Sequence, residues 1–266
     1  MNILLAVLVI ALLGGLFGFG LSIAEKKFAV KKDPKILALE PLMPGANCGV
    51  CGYAGCNAYA AAVALGEAPI GLCSPGGSSL NEKMAEIMGT KIEAGGDTRR
   101  KIAHVMCRGN TEFTTKDYAY EGMNDCNAAA LLFAGDNGCK NGCMHLGSCI
   151  AVCPVDAISK DKDGYIIVDE DLCISCEKCT QICPNGVIQM IYEDNEYAIE
   201  CNNHDPGGKI RKICSVACIG CKICENKFPE SGCKVDNFLS TFTQSVPHSQ
   251  IAEAAEACPT KCIIKR

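Results

Sequence analysis

The chain has 266 residues, a net charge of −5 and 22 cysteines, with no tryptophan and only 6% aromatic residues. That length suits one or two domains, but so few large side chains leave small apolar cores, which disulfides or metals must then consolidate. The acidic balance gives no support to nucleic-acid binding.

Residues 2–24 carry no charge and are long enough to cross a bilayer as a helix. No basic stretch precedes the run and no small-x-small cleavage site ends it. Residues 1–24 are therefore expected to be a single transmembrane anchor, not a signal peptide. Gly14, Gly15, Gly18 and Gly20 form a small-residue face, read either as ordinary glycine tolerance or as packing against a helix of another protein in the membrane. Lys26, Lys27, Lys31, Lys32 and Lys35 follow, so the positive-inside bias places the bulk of the chain on the cytoplasmic side of the cell membrane. The first 36 residues carry a net +3, which suits anionic headgroups, and leave −8 on the remainder. In a reducing compartment cysteines hold metal more often than they form a disulfide scaffold.

Residues 25–43 read as a linker punctuated by Pro34 and Pro41. A module over 44–100 opens with Cys48-x-x-Cys51-x4-Cys56, completed by Cys73. Gly49, Gly52 and Gly55 let this loop bend and aim N–H groups inward. Helices are expected at 57–65 and 81–88, with Gly95-Gly96 closing the module. The first helix would turn its positive end toward the thiolates. Four thiolates suit zinc as well as a [4Fe–4S] cluster; the cluster is preferred because the rest of the chain is committed to that chemistry.

After a connecting segment, 101–138, the densest signal is Cys173-x-x-Cys176-x-x-Cys179-x-x-x-Cys183-Pro184, within a ferredoxin-like domain expected at 139–194. Three thiolates at this spacing wrap one cubane and the fourth ligates the neighbouring one. Upstream stand Cys139, Cys143, Cys149 and Cys153-Pro154, a looser spacing that implies a distorted or enlarged loop. The crossed rule then predicts one cluster on Cys139, Cys143, Cys149 and Cys183, and another on Cys173, Cys176, Cys179 and Cys153. His145 is expected to be a surface histidine and not a Rieske-like ligand.

The last segment, 195–266, begins with a strand-like YAIEC and repeats the design in degraded form. Cys218, Cys221 and Cys224 are intact, Phe228 takes the fourth slot, a helix-like SQIAEAAEA replaces the second run, and Cys258-Pro259 survives. One cluster on Cys218, Cys221, Cys224 and Cys258 is expected, with Phe228 filling the vacated space. Cys233 and Cys262 align with apolar or small positions and read as core thiols. Cys107, Cys126, Cys201 and Cys214 remain. Isolated buried thiols are the favoured reading; a further cluster or metal held by the four together is the alternative. The fold class is thus α+β: a transmembrane helix, a mostly helical [4Fe–4S] module, a two-cluster ferredoxin-like domain and a one-cluster ferredoxin-like unit. Four clusters are expected, five if the remaining cysteines join.

The glycine-rich anchor, GANCGVCGYAGC with Cys73, YEGMNDCNAAALLFAG, GCKNGCMHLGSCIAVCPVDAI and RKICSVACIGCKIC together resemble the RnfB family, the electron-carrying component of the Rnf complex, an ion-translocating ferredoxin:NAD oxidoreductase. The resemblance implies that reduced ferredoxin donates electrons, that membrane and flavoprotein subunits are the partners, and that the electron flow drives Na+ or H+ transport. Because donor ferredoxins of this family are acidic, Lys209, Arg211 and Lys212 are the candidate docking patch. No GxGxxG fingerprint, P-loop or nucleophile–base pair occurs, so the residues point to electron conduction and not to NAD binding or a catalytic residue on this chain. A relay to a redox-sensing regulator and a disulfide-stapled extracellular protein are the rival readings.

Overall fold

The computed structural model describes residues 2–28, 33–90, 99–242 and 249–266. Helix α1 spans Asn2–Phe28, 27 residues, or about 40 Å at the α-helical rise. Its described large side chains, from Leu5 to Ile23, are exposed, and an added Cβ at Gly14, Gly15, Gly18 or Gly20 would meet nothing within 4 Å. Among the described residues no helix is long and apolar enough to cross a membrane. Lys31 and Lys32 lie outside the described residues.

Part of the expected linker is folded. Asp33 caps α2 (Pro34–Leu39) by accepting the Lys35 N–H at 2.8 Å, and Pro34 takes the first helical position, where its missing N–H costs nothing. A 3-10 turn follows at Glu40–Leu42. Leu39 is fully buried against Tyr59, Val63, Leu80 and Met84, which belong to α3 (Cys56–Ala64) and α4 (Gly77–Met88). This small helical core is the N-terminal module. Helix α4 ends on Gly89 with φ +67°, the left-handed cap that glycine adopts without strain; Gly95-Gly96 lies outside the described residues.

The rest is one design used twice. In the first unit β1 (Lys101–Val105) pairs antiparallel with β4 (Ile188–Tyr192), and β2 (Ile158–Lys160) with β3 (Ile166–Val168). In the second, β5 (Tyr197–Ile199) pairs with β8 (Ile263–Lys265), and β6 (Cys233–Asp236) with β7 (Leu239–Phe242). First pairs with last and second with third in both. Two-stranded ribbons are marginal alone; each unit adds a small core, around Ile102, Ile158, Val187 and Ile188 in one and Ile199, Ile210, Leu239 and Ile263 in the other.

Short helices join the pairs: α5 (Cys126–Ala130), α6 (Ser148–Ala151) and α7 (Lys178–Ile182) in the first unit, α8 (Gly207–Ile210), α9 (Ile223–Asn226) and α10 (Ile251–Ala257) in the second. The segment 101–138, expected as a connector, supplies β1 and α5 and so belongs to the first unit. Helix α10 stands where the second cysteine run is missing. Arg266 fastens the units: its largely buried guanidinium pairs with Glu170 at 2.5 Å and donates to the carbonyls of Tyr192 and Asn195.

Candidate metal centres

Three loops share one backbone shape. Residues in the left-handed region fall two positions after the first cysteine, at His145 (φ +58°), Ser175 (+57°) and Gly220 (+63°), and two before the third, at Gly147, Glu177 and Lys222. Helices α6, α7 and α9 start on the latter residues, so each loop curls around one point and then points a helix N-terminus at it. The positive end of a helix favours anionic thiolates there. The shared shape corrects the register of the first loop. It is Cys143-x-x-Leu146-x-x-Cys149-x-x-x-Cys153, undistorted, with Leu146 where the other loops carry Cys176 and Cys221.

The thiol that this loop lacks comes from a distance. One cavity is lined by Cys126, Cys143, Cys149 and Cys183. Cys126, not Cys139, completes this group, against the expectation from spacing. Asp125 positions it: its carboxylate accepts the Ala128 N–H (2.7 Å) and the Ser148 hydroxyl (3.0 Å), while Ser148 accepts the Cys126 N–H (2.7 Å). These bonds hold the Asp125 carboxyl below the usual range. A second cavity is lined by Cys153, Cys173, Cys176 and Cys179, and a third by Cys218, Cys221, Cys224 and Cys258. A fourth, between the two units, is lined by Cys107, Cys139, Cys201 and Cys214, with Cys143 at its edge. In the N-terminal module Cys48, Cys51 and Cys56 all lie close enough to Cys73 to raise its thiol pKa, after burial, the main cause. Asn47 closes that loop by accepting the Cys56 N–H at 2.9 Å, in space that a Cβ on Gly55 would fill.

Among the described residues no three His, Cys, Asp or Glu side chains close on a point as the ligands of one ion do; each cysteine group surrounds a space instead. Peptide N–H groups donate to the sulfurs, from Ala157 to Cys153 (3.3 Å), Cys143 to Cys107 (3.3 Å) and Cys218 to Cys201 (3.2 Å). That is the hydrogen bonding that stabilises cluster thiolates and tunes their potential. Cavities, donors and helix ends together fit [4Fe–4S] clusters.

Burial pushes the Cys139 and Cys149 thiols up to about 11 and those of Cys179 and Cys201 to about 12. The C-terminal group runs the other way. Cys262, expected only as a core thiol, lies with its sulfur 3.6 Å from that of Cys258, and as hydrogen-bond donor it pulls Cys258 down to about 5. Cys233 does the same for Cys224, held at about 7. Both donors are buried, and nothing in their spacing signalled this role. Phe228 packs against the core of the second unit. His145 is not a surface residue: it is half-buried, one ring nitrogen lies 2.7 Å from the Gly109 carbonyl, and its ring meets Tyr165 edge-on. It lines none of the cysteine cavities.

The fold and its cavities define the class: an iron–sulfur protein made of a helical four-cysteine module and two ferredoxin-like units. Family comparison agrees, with residues 43–75 matching the family described as "Putative Fe-S cluster" and residues 137–188 the "4Fe-4S dicluster domain". The chain is similar to the B component of the Na(+)-translocating ferredoxin:NAD(+) oxidoreductase complex of Acetobacterium woodii, 38% identical over 98% of this chain and 77% of that protein. It is 34% identical to the B component of the ion-translocating oxidoreductase complex of Methanosarcina acetivorans, over 97% and 96% of the two chains. It is also 36% identical to the B component of the proton-translocating ferredoxin:NAD(+) oxidoreductase complex of Clostridium ljungdahlii, over 99% and 93%. The chain belongs to the RnfB family of the ion-translocating oxidoreductase, or Rnf, complex.

Proposed function

We propose that this chain takes electrons from reduced ferredoxin and relays them to the membrane subunits of an ion-translocating ferredoxin:NAD oxidoreductase, with α1 as its membrane anchor and its bulk on the cytoplasmic side. The observation that carries the reading is the succession of cysteine groups, each in reach of the next. Cys48 of the N-terminal module is near enough to act on the charge of Cys176. Cys179, in the Cys176 group, is likewise acted on by Cys149 in the Cys126 group. [4Fe–4S] clusters bound in such groups take up and release single electrons.

The protein's own residues set the two ends of the path. Cys221 is the exposed cysteine among the 22, on a loop flanked by exposed Lys222, Lys212, Arg211 and Lys209. Lys209 is paired to Asp205 at 2.9 Å, which leaves the other three to face an acidic donor. At the far end, the N-terminal module follows α1 in sequence, with α2 packed into its core. The uncharged run of 2–24 supports insertion, and the open face at Gly14 and Gly18 suits close packing on a partner helix.

The test is stopped-flow reduction of the anaerobic full chain by reduced ferredoxin. Reversing Arg211, Lys212 and Lys222 to glutamate should slow reduction about 10- to 100-fold at low ionic strength and flatten its salt dependence. An unchanged rate and salt slope would remove the proposed entry point. Failure of ferredoxin to reduce the wild-type protein at all would remove the function.

A further inference from the structure

We propose that Cys107, Cys139, Cys201 and Cys214 hold a fifth [4Fe–4S] cluster, between the two ferredoxin-like units. The inference rests on the electron-relay reading and extends it. The four thiols form two copies of one half-site. Cys107 follows β1 by two residues and Cys201 follows β5 by two, and each N–H bonds back to the carbonyl two residues earlier at 2.9 Å. The preceding residues match as well: Met106 donates to the Val187 carbonyl (2.7 Å) and Glu200 to the Cys262 carbonyl (2.8 Å), each acceptor four residues after a Cys-Pro cysteine.

Cys139 and Cys214 each stand four residues before the first cysteine of a cluster loop, Cys143 and Cys218. Those two cysteines in turn donate their N–H groups to the sulfurs of Cys107 and Cys201, at 3.3 and 3.2 Å. Each unit therefore presents one post-strand cysteine and one pre-loop cysteine, and the two presentations face each other across a single cavity.

The cavity has the right size and lining. Its volume is about 20 Å³, the same as that of each of the three ferredoxin-type cavities. Gly109 keeps it open: a Cβ there would lie 3.6 Å from the Cys107 sulfur, 3.7 Å from the Cys214 sulfur and 2.6 Å from the Thr114 hydroxyl oxygen. Further donors point at the sulfurs, with Thr114 Oγ1 bonding to Cys214 (3.3 Å) and the Asn203 N–H to Cys201 (3.4 Å). Cysteine is otherwise a poor choice for a buried junction that Leu or Ile would fill at greater gain. Position gives the cluster its role. Cys143 lines both this cavity and the neighbouring one, and Cys218 belongs to the C-terminal group. The fifth cluster is the link between the exposed C-terminal group and the rest of the path.

Five cubanes need about 20 of the 22 thiols, which leaves only Cys233 and Cys262. Native mass spectrometry and iron and acid-labile sulfide analysis of the anaerobically purified full chain in detergent should give five clusters and about 20 iron per chain. The double variant Cys201→Ala/Cys214→Ala should give four clusters and about 16 iron. Four clusters in both proteins would overturn the proposal while leaving the relay reading intact. Five in both would overturn the ligand set, and four clusters plus one zinc ion in the wild type would overturn the cofactor. A wild type nearly free of iron would overturn the relay reading as well. If the variant fails to fold, the wild-type count decides alone.

Discussion

Leu146 and Cys126 provide a direct test of how the first cluster loop is built. Three thiols of that cavity, Cys143, Cys149 and Cys183, come from the two cysteine runs, and the fourth is imported from α5. Replacing Cys126 with alanine removes one thiolate and little else. The bond that anchors the segment is made by the Cys126 backbone N–H to Ser148, at 2.7 Å, and alanine keeps it. The cubane should then lose its fourth ligand and, during purification, either one iron or the whole cluster, a deficit of about one to four iron per chain. Adding Leu146→Cys puts a thiol at the position equivalent to Cys176 and Cys221, following a residue whose φ (+58°, His145) matches Ser175 (+57°) and Gly220 (+63°). The double variant should regain the full iron content, and the EPR spectrum of its reduced form should return to that of the wild type. Cys139→Ala should leave this cluster in place. Failure of Leu146→Cys to restore the missing iron, or loss of this same cluster on Cys139→Ala, would refute the register and the ligand exchange together.

Two further outcomes follow from the thiols. Cys262 donates to the Cys258 sulfur at 3.6 Å, and such a donor stabilises the more negative, reduced cluster. Cys262→Ala should therefore lower the C-terminal cluster potential by on the order of tens of millivolts; an unchanged or raised potential in an EPR-monitored titration would count against it. Burial raises Cys139, Cys149, Cys179 and Cys201 to between about 11 and 12. In the apoprotein these thiols are neutral at pH 7, so each must release a proton on binding iron, and affinity must rise with pH until those values are passed. Reconstituted apoprotein should resist an iron chelator better at pH 8.5 than at 6.5, by up to about tenfold per pH unit for each displaced proton; resistance independent of pH would contradict the assignment.

Much of the site was legible because cysteine spacing is a local code. The run from Cys173 to Cys183 and the degraded copy from Cys218 to Cys258 bring together the residues their spacing implied. Phe228 replacing a thiol was readable by aligning the copies. The same alignment applied to GCMHLGSCIAVCP sets Leu146 under Cys176 and places Cys139 outside this loop. An extra cysteine nearby hid this, because it let a looser spacing pass as a distorted loop. The import of Cys126 had no such local signal, since the bonds that place it run from Asp125 to Ser148, 23 residues away. Strand β1 was hidden for the same reason. Its partner β4 lies beyond both cysteine runs, and only the register Ile102↔Ile191 shows that the supposed connector is an edge of the first unit. In the linker, Leu39 was obscured by flanking charge and proline, although Asp33-Pro34 is a helix start.

The exposure of Cys221 has a cost as well as a use. A cluster edge that a donor protein can approach is open to oxygen and peroxide too, and oxidation of sulfur follows access. The other cysteines are buried or half-buried, so oxidative damage should begin at the outermost group of the second unit. A chain damaged there would keep its buried iron and its fold yet be cut off from its donor. The position would then behave as a fuse, failing first and sparing the rest.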